Sequence, residues 1–97
     1  HNGQENGYAH YDTGAASENI CLQATSLNLA AHQMGGFSKD KAREVAHVPD
    51  NYDILSFIAI GKPLEMDQLR EDQKERELNE RSRLPLEQIF SFNQFKE

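Results

Sequence analysis

The sequence has a single cysteine, Cys21. No internal disulfide can staple it, which is compatible with a reducing compartment. Basic residues are also scarce: ten Lys and Arg stand against sixteen Asp and Glu, a formal net charge of −6. The global electropositive surface that nucleic acid requires is absent, and nucleic-acid binding is set aside. No apolar run approaches the roughly 20 residues of a membrane span, and no signal-peptide pattern opens the sequence. The expectation is a soluble, cytoplasmic protein with no membrane partner. No initiator methionine stands ahead of His1, which points to a processed product or a portion of a longer polypeptide. The histidines His1, His10, His32 and His47 share no metal-ligand spacing with cysteine or carboxylates, so no metal site is expected. There is no G-x-S-x-G element and no carboxylate pair spaced for acid–base work, and no catalytic side chain is assigned. No internal repeat is found.

What the sequence does have is concentrated in residues 12–37, DTGAASENICLQATSLNLAAHQMGGF. Ala16, Ile20, Ala24 and Leu27 recur at helical spacing, and Ala15, Cys21 and Leu22 widen the apolar face beyond a surface stripe. The pattern predicts a buried central helix that other elements must wrap. Thr13 or Asp12 is suited to cap its first turn. Asn28 supplies the stop, because asparagine tolerates the left-handed conformation, and Leu29 beyond it can fold back on the last turn. Residues 30–34 then form a short extended piece that delivers Gly35 and Gly36. Paired glycines after a strand let backbone amides approach a planar or anionic ligand closely. Cys21 reads as a small core hydrophobe, and His32 as a half-buried strand residue.

Around this stretch, residues 1–7, HNGQENG, are a polar, glycine-rich loop. Residues 8–12 are a lead-in to the helix. Ser38 is placed to cap a second helix over residues 39–47, with Ala42, Val45 and Ala46 as a narrow apolar stripe. Pro49-Asp50-Asn51 ends it. Residues 54–61, ILSFIAIG, are apolar, β-branched and aromatic, and read as a strand buried on both faces. Composition then changes sharply. Asp72 with Arg76, and Glu77 with Arg81, are spaced to pair across a helical turn. Pro85 breaks that helix, leaving Leu86, Ile89, Phe90, Phe92 and Phe95 to bury along a tail. The 97 residues are read as a single domain or fragment, 1–97, with an exposed charged helical excursion over 64–83 and an extended tail over 84–97.

One doubly buried strand and one short strand do not fill a sheet, because a stable sheet generally needs three or more strands. The expected fold is therefore α+β, a central buried helix packed on an antiparallel-type sheet, incomplete without strands from a partner or from an N-terminal half. Arg81 and Arg83, on a fraying segment beside a proline, are either surface ions or a clamp for phosphate, since guanidinium forks match phosphate oxygens.

Taken in order, DTGAASENICLQATSLNL, QMGGF, ILSFIAIGKP and RSRLPLEQIF resemble the C-terminal half of the nitroreductase-like family of flavin oxidoreductases. The resemblance runs from about residue 11 to 90, with the acidic excursion as its least typical part. It implies a homodimer with intertwined tails and FMN bound at the dimer interface. It further implies that the Met34-Gly35-Gly36 segment presents amides to the reactive edge of the flavin, around N5, and that Arg81 and Arg83 hold its phosphate. Family members commonly carry a Leu-Gly-Leu helix stop where this chain has Leu27-Asn28-Leu29. The family's N-terminal Arg-x-Ser-x-Arg flavin motif is not in these residues. The implied activity is FMN-dependent, NAD(P)H-driven reduction of nitroaromatics, quinones or similar acceptors, incomplete with this chain alone. The alternative reading is a non-catalytic dimerisation or interaction domain without flavin.

Overall fold

The computed structural model describes residues 3–95. His1 and Asn2 of the N-terminal loop, and residues 96–97 of the tail, lie outside the described residues. The chain divides into two compact units, His1–Pro63 and Leu64–Glu97.

The first unit contains helix α1 (Ala9–Ser26), strand β1 (Ala30–Met34), helix α2 (Lys39–Ala46) and strand β2 (Phe57–Gly61). Helix α1 starts a turn earlier than its capping residues suggested. Asp12 and Thr13 lie inside it, and the Thr13 hydroxyl donates to the Ala9 carbonyl at 2.7 Å. No side chain caps this start. Asn6 forms a turn just ahead of it, its Oδ1 accepting from the Tyr8 amide at 3.0 Å and its carbonyl from the Ala9 amide at 3.1 Å, so residues 8–12 are not a separate lead-in: Tyr8 is the N-cap and the rest are helical.

The far end of α1 closes as expected. Asn28 is left-handed at φ 59°, the Asn28 amide donates to Thr25 O, and the Leu29 amide donates to Ala24 O at 2.9 Å. This is the double hydrogen bond of a Schellman motif. The same closure recurs on α2, where His47 at φ 53° ends the helix and the Val48 amide donates to Arg43 O. Helix α2 is thus one residue shorter than read, and the turn begins before Pro49. Ser38 caps its start, accepting from the Lys41 amide at 3.4 Å. Of the stripe assigned to α2 only Ala42 is buried, and Val45 is 79% exposed.

Strands β1 and β2 form a two-stranded antiparallel sheet, Ala30 opposite Gly61 through Met34 opposite Phe57. The alternation of strand side chains puts Ala31, Gln33, Ile58 and Ile60 on one face, and Ala30, His32, Met34, Phe57 and Ala59 on the other. Helix α1 packs against the sheet, with Gln33 Nε2 donating to Glu18 Oε2 at 3.4 Å. On the other face His32, Met34, Phe57 and Ala59 are exposed among the described residues.

Residues 54–56 precede the strand rather than extend it, and β2 is not buried on both faces: four of its five residues are exposed. No third strand exists among the described residues to extend the sheet. His32 is likewise exposed rather than half-buried, and Cys21 is half-buried. Burial in α1 is confined to Ser17 and Ala24, while Ile20, Leu22 and Leu27 remain exposed. The long loop before β2 is held by Arg43, whose guanidinium donates to the carbonyls of Val48, Pro49 and Tyr52.

The second unit has a 3-10 turn at Met66–Gln68, helix α3 (Glu71–Leu78) and a single turn, α4 (Leu86–Ile89). Gln68 and Gln73 reach back to accept from the Glu65 and Arg70 amides at 3.0 and 3.1 Å, half of a capping box at each start. The i,i+4 pairs expected here do not form. Asp72 pairs with Arg70 and Glu71 with Lys74, and α3 ends at Leu78, which takes Arg81 out of helical register with Glu77. Exposed pairs of this kind differ by only tenths of a kcal/mol, roughly, so local geometry decides among them. The stretch read as an extended tail contains the α4 turn before Phe90 returns to extended backbone.

Candidate functional site

The sheet's open face ends in a concavity of about 430 Å³ lined by His32, Gln33, Met34, Gly35, Gly36, Phe37 and Phe57. Its size falls in the range of roughly 300–1,000 Å³ typical of small-molecule sites. Strand β1 delivers Met34, the glycines follow at its end, and α2 begins just beyond. The last register pair sets Phe57 opposite Met34. The rings of Phe37 and Phe57 meet edge-to-face, centroids 4.6 Å apart.

Among the described residues, no close contact requires glycine at positions 35 and 36. Neither has a left-handed φ, and a Cβ built on either meets no heavy atom within 4 Å. Among the described residues, neither glycine takes part in the turn and cap hydrogen bonds of the main chain. A Cβ there would project into open space, so the two residues form a bare backbone ledge beside apolar side chains. Such a ledge suits a planar, partly polar ring, whose polar edge can take amide hydrogen bonds while its face lies on Met34 or the phenylalanines.

Arg81 and Arg83 belong to the second unit, on the irregular residues 79–85 between α3 and α4. Both are exposed. Arg83 Nη1 donates to the Ser82 carbonyl at 2.8 Å, and neither arginine has an ion pair among the described residues. Their guanidinium groups retain donors for an anion. Also among the described residues, no three His, Cys, Asp or Glu side chains gather as a metal site, and no helix is long and apolar enough to cross a membrane.

Comparison with known proteins bears on this arrangement. The sequence model of the Nitroreductase family matches residues 1–62. The chain belongs to the nitroreductase family. A solved structure described as an oxidoreductase containing FMN superposes with a TM-score of 0.83 at 31% identity, over 96% of this chain and 46% of the other. An uncharacterized 15.4 kDa protein in the ask 5′ region of Mycolicibacterium smegmatis is 34% identical over 82 residues, which is 84% of this chain and 55% of that protein. The nitroreductase chain described here thus spans about half the length of these relatives. The family match includes Met34, Gly35 and Gly36 and stops short of Arg81 and Arg83.

Phe37, Phe57 and Gln33 were not singled out from sequence. Phe57 was within reach: pairing QMGGF antiparallel with ILSFIAIG can put a phenylalanine beside the glycines. His32 was noted only as a strand residue, yet it lines the same concavity.

Proposed function

We propose that this chain is part of a cytoplasmic FMN-dependent NAD(P)H oxidoreductase of nitroreductase type, acting as a homodimer. Family membership and the likeness to an oxidoreductase containing FMN support the class. The observation that carries the reading to these residues is that Gly35 and Gly36, inside the family match, line the concavity beside Met34, Phe37 and Phe57, where among the described residues an added Cβ at either meets nothing within 4 Å. A ligand lying against that backbone accounts for two successive residues without side chains.

When bound, FMN supplies the redox centre through which NAD(P)H reduces a nitroaromatic, quinone or related acceptor in a ping-pong sequence. The chain's own residues bind and orient. The Gly35 and Gly36 amides would donate to the polar edge of the ring as fixed dipoles. Met34 contributes apolar contact. Arg81 and Arg83 are the residues that would hold the phosphate, by charge-assisted hydrogen bonds. No side chain is assigned as a proton donor or acceptor.

The test is the colour and content of the purified full polypeptide. A yellow protein that releases FMN on denaturation, and whose bound flavin is bleached by NAD(P)H, supports the proposal. A colourless protein that takes up no FMN supports the interaction-domain reading instead.

A further inference from the structure

The segment that offers its backbone has nothing of its own to hold it. Gly35 and Gly36 carry no side chains, and an added Cβ at either would touch nothing within 4 Å. Glycine is also the residue with the most backbone freedom. A ledge meant to aim amides in one direction must therefore be fixed from its ends. Both ends meet one residue. Upstream, the Phe57 main chain is the register partner of Met34, the last residue of β1. Downstream, the Phe57 ring packs edge-to-face against Phe37, the residue that follows Gly36, at 4.6 Å and 64°. That separation and angle lie in the favoured range for aromatic pairs. The Ser38 cap of α2 then fixes the chain one residue further on.

We propose that Phe57 is the positioning residue of the glycine ledge, holding Gly35–Gly36 at one end by its main-chain pairing with Met34 and at the other by its ring on Phe37. Removing the ring frees the Phe37 end and loosens the glycines, while the ladder to Met34 and the sheet remain. The effect on flavin affinity rests on the function proposed above; the effect on backbone order does not.

The experiment measures amide relaxation of Gly35 and Gly36 in the full polypeptide, together with FMN titration, in the wild type, Phe57→Tyr, Phe57→Leu, Phe37→Leu and the double leucine variant. Wild type and Phe57→Tyr, which keeps the ring, should give order parameters near 0.85, and each leucine variant should fall below about 0.6. The double variant should fall no further, because both single changes break the same contact. FMN affinity should drop about 2- to 10-fold in each leucine variant. Phe37 lies outside the strands, so its variant carries the test if Phe57→Leu disturbs the sheet. Rigid glycines in the leucine variants overturn the proposal, and so does loosening by Phe57→Leu alone. Loosened glycines in a protein that takes up no FMN leave the positioning role standing and remove the flavin reading.

Discussion

At the scale of single residues, two positions carry opposite kinds of information. Asn28 is constrained by its backbone. At φ 59° it closes α1, and a β-branched residue forced there costs about 1–2 kcal/mol because Cβ crowds the following carbonyl. Asn28→Val should lower the urea midpoint of the full polypeptide accordingly, and Asn28→Gly should leave it equal or slightly raised; a neutral Asn28→Val would show that the left-handed closure is dispensable. Gly36 meets no such constraint among the described residues, where an added Cβ would touch nothing within 4 Å. Gly36→Val should leave circular dichroism unchanged while weakening FMN binding or slowing flavin reduction by NAD(P)H, and unchanged affinity and rate would remove the ledge from the site. Asn28 was legible because a turn-tolerant residue between two leucines ends a periodic run. His47 and Arg43 were not. His47 has no special propensity that outranks the proline two residues on, and Arg43 bonds only to carbonyls, which every sequence supplies in equal number.

At the scale of elements, the short pieces were legible and the burial was not. Strand β1 was bounded by a helix stop and a glycine pair, two local signals, and both of its ends fell where read. Strand β2 was read too long, since an apolar run does not record how many of its residues find a partner, and β1 offers only five. Helix α1 packs on the sheet, yet its apolar surplus faces outward. Ile20, Leu27, Leu29 and Ile60 line an open apolar groove of about 400 Å³ between α1 and β2. Periodicity reports that a face is apolar and says nothing of whether the cover is in the same chain. Ile20 is 46% exposed, so a charge there is tolerable within this chain and intolerable under a partner. Ile20→Asp should therefore reduce the apparent mass of the assembled protein on size exclusion while its helical signal persists. An unchanged assembly would place the partner elsewhere.

At the scale of the whole molecule, the largest apolar side chains buried among the described residues are alanines, Ala24 and Ala42. Such a core is far smaller than a chain of this length needs to offset its ordering entropy. The relatives point to the remedy, since they run to about one and a half to two times this length. The same shortfall governs ligand binding. In the first unit nothing within 4 Å of a Cβ at Gly35 or Gly36 supplies a wall, and in the second unit Arg81 and Arg83 are exposed. Phosphate contacts by exposed arginines compete with water and weaken with salt, and a ring left open on one face gains little from burial. These residues by themselves should bind FMN weakly or not at all, as read by flavin fluorescence quenching. Joined to the polypeptide that covers the concavity, they should bind it tightly. In that setting Arg83→Ala should cost about 1.5–3 kcal/mol of affinity, the worth of a hydrogen bond to a charged group, with a loss that shrinks as salt is raised. Tight, stoichiometric FMN binding by the 97 residues alone, with reduction by NAD(P)H, would mean that the ledge and the arginines suffice and that the exposed faces serve some other contact.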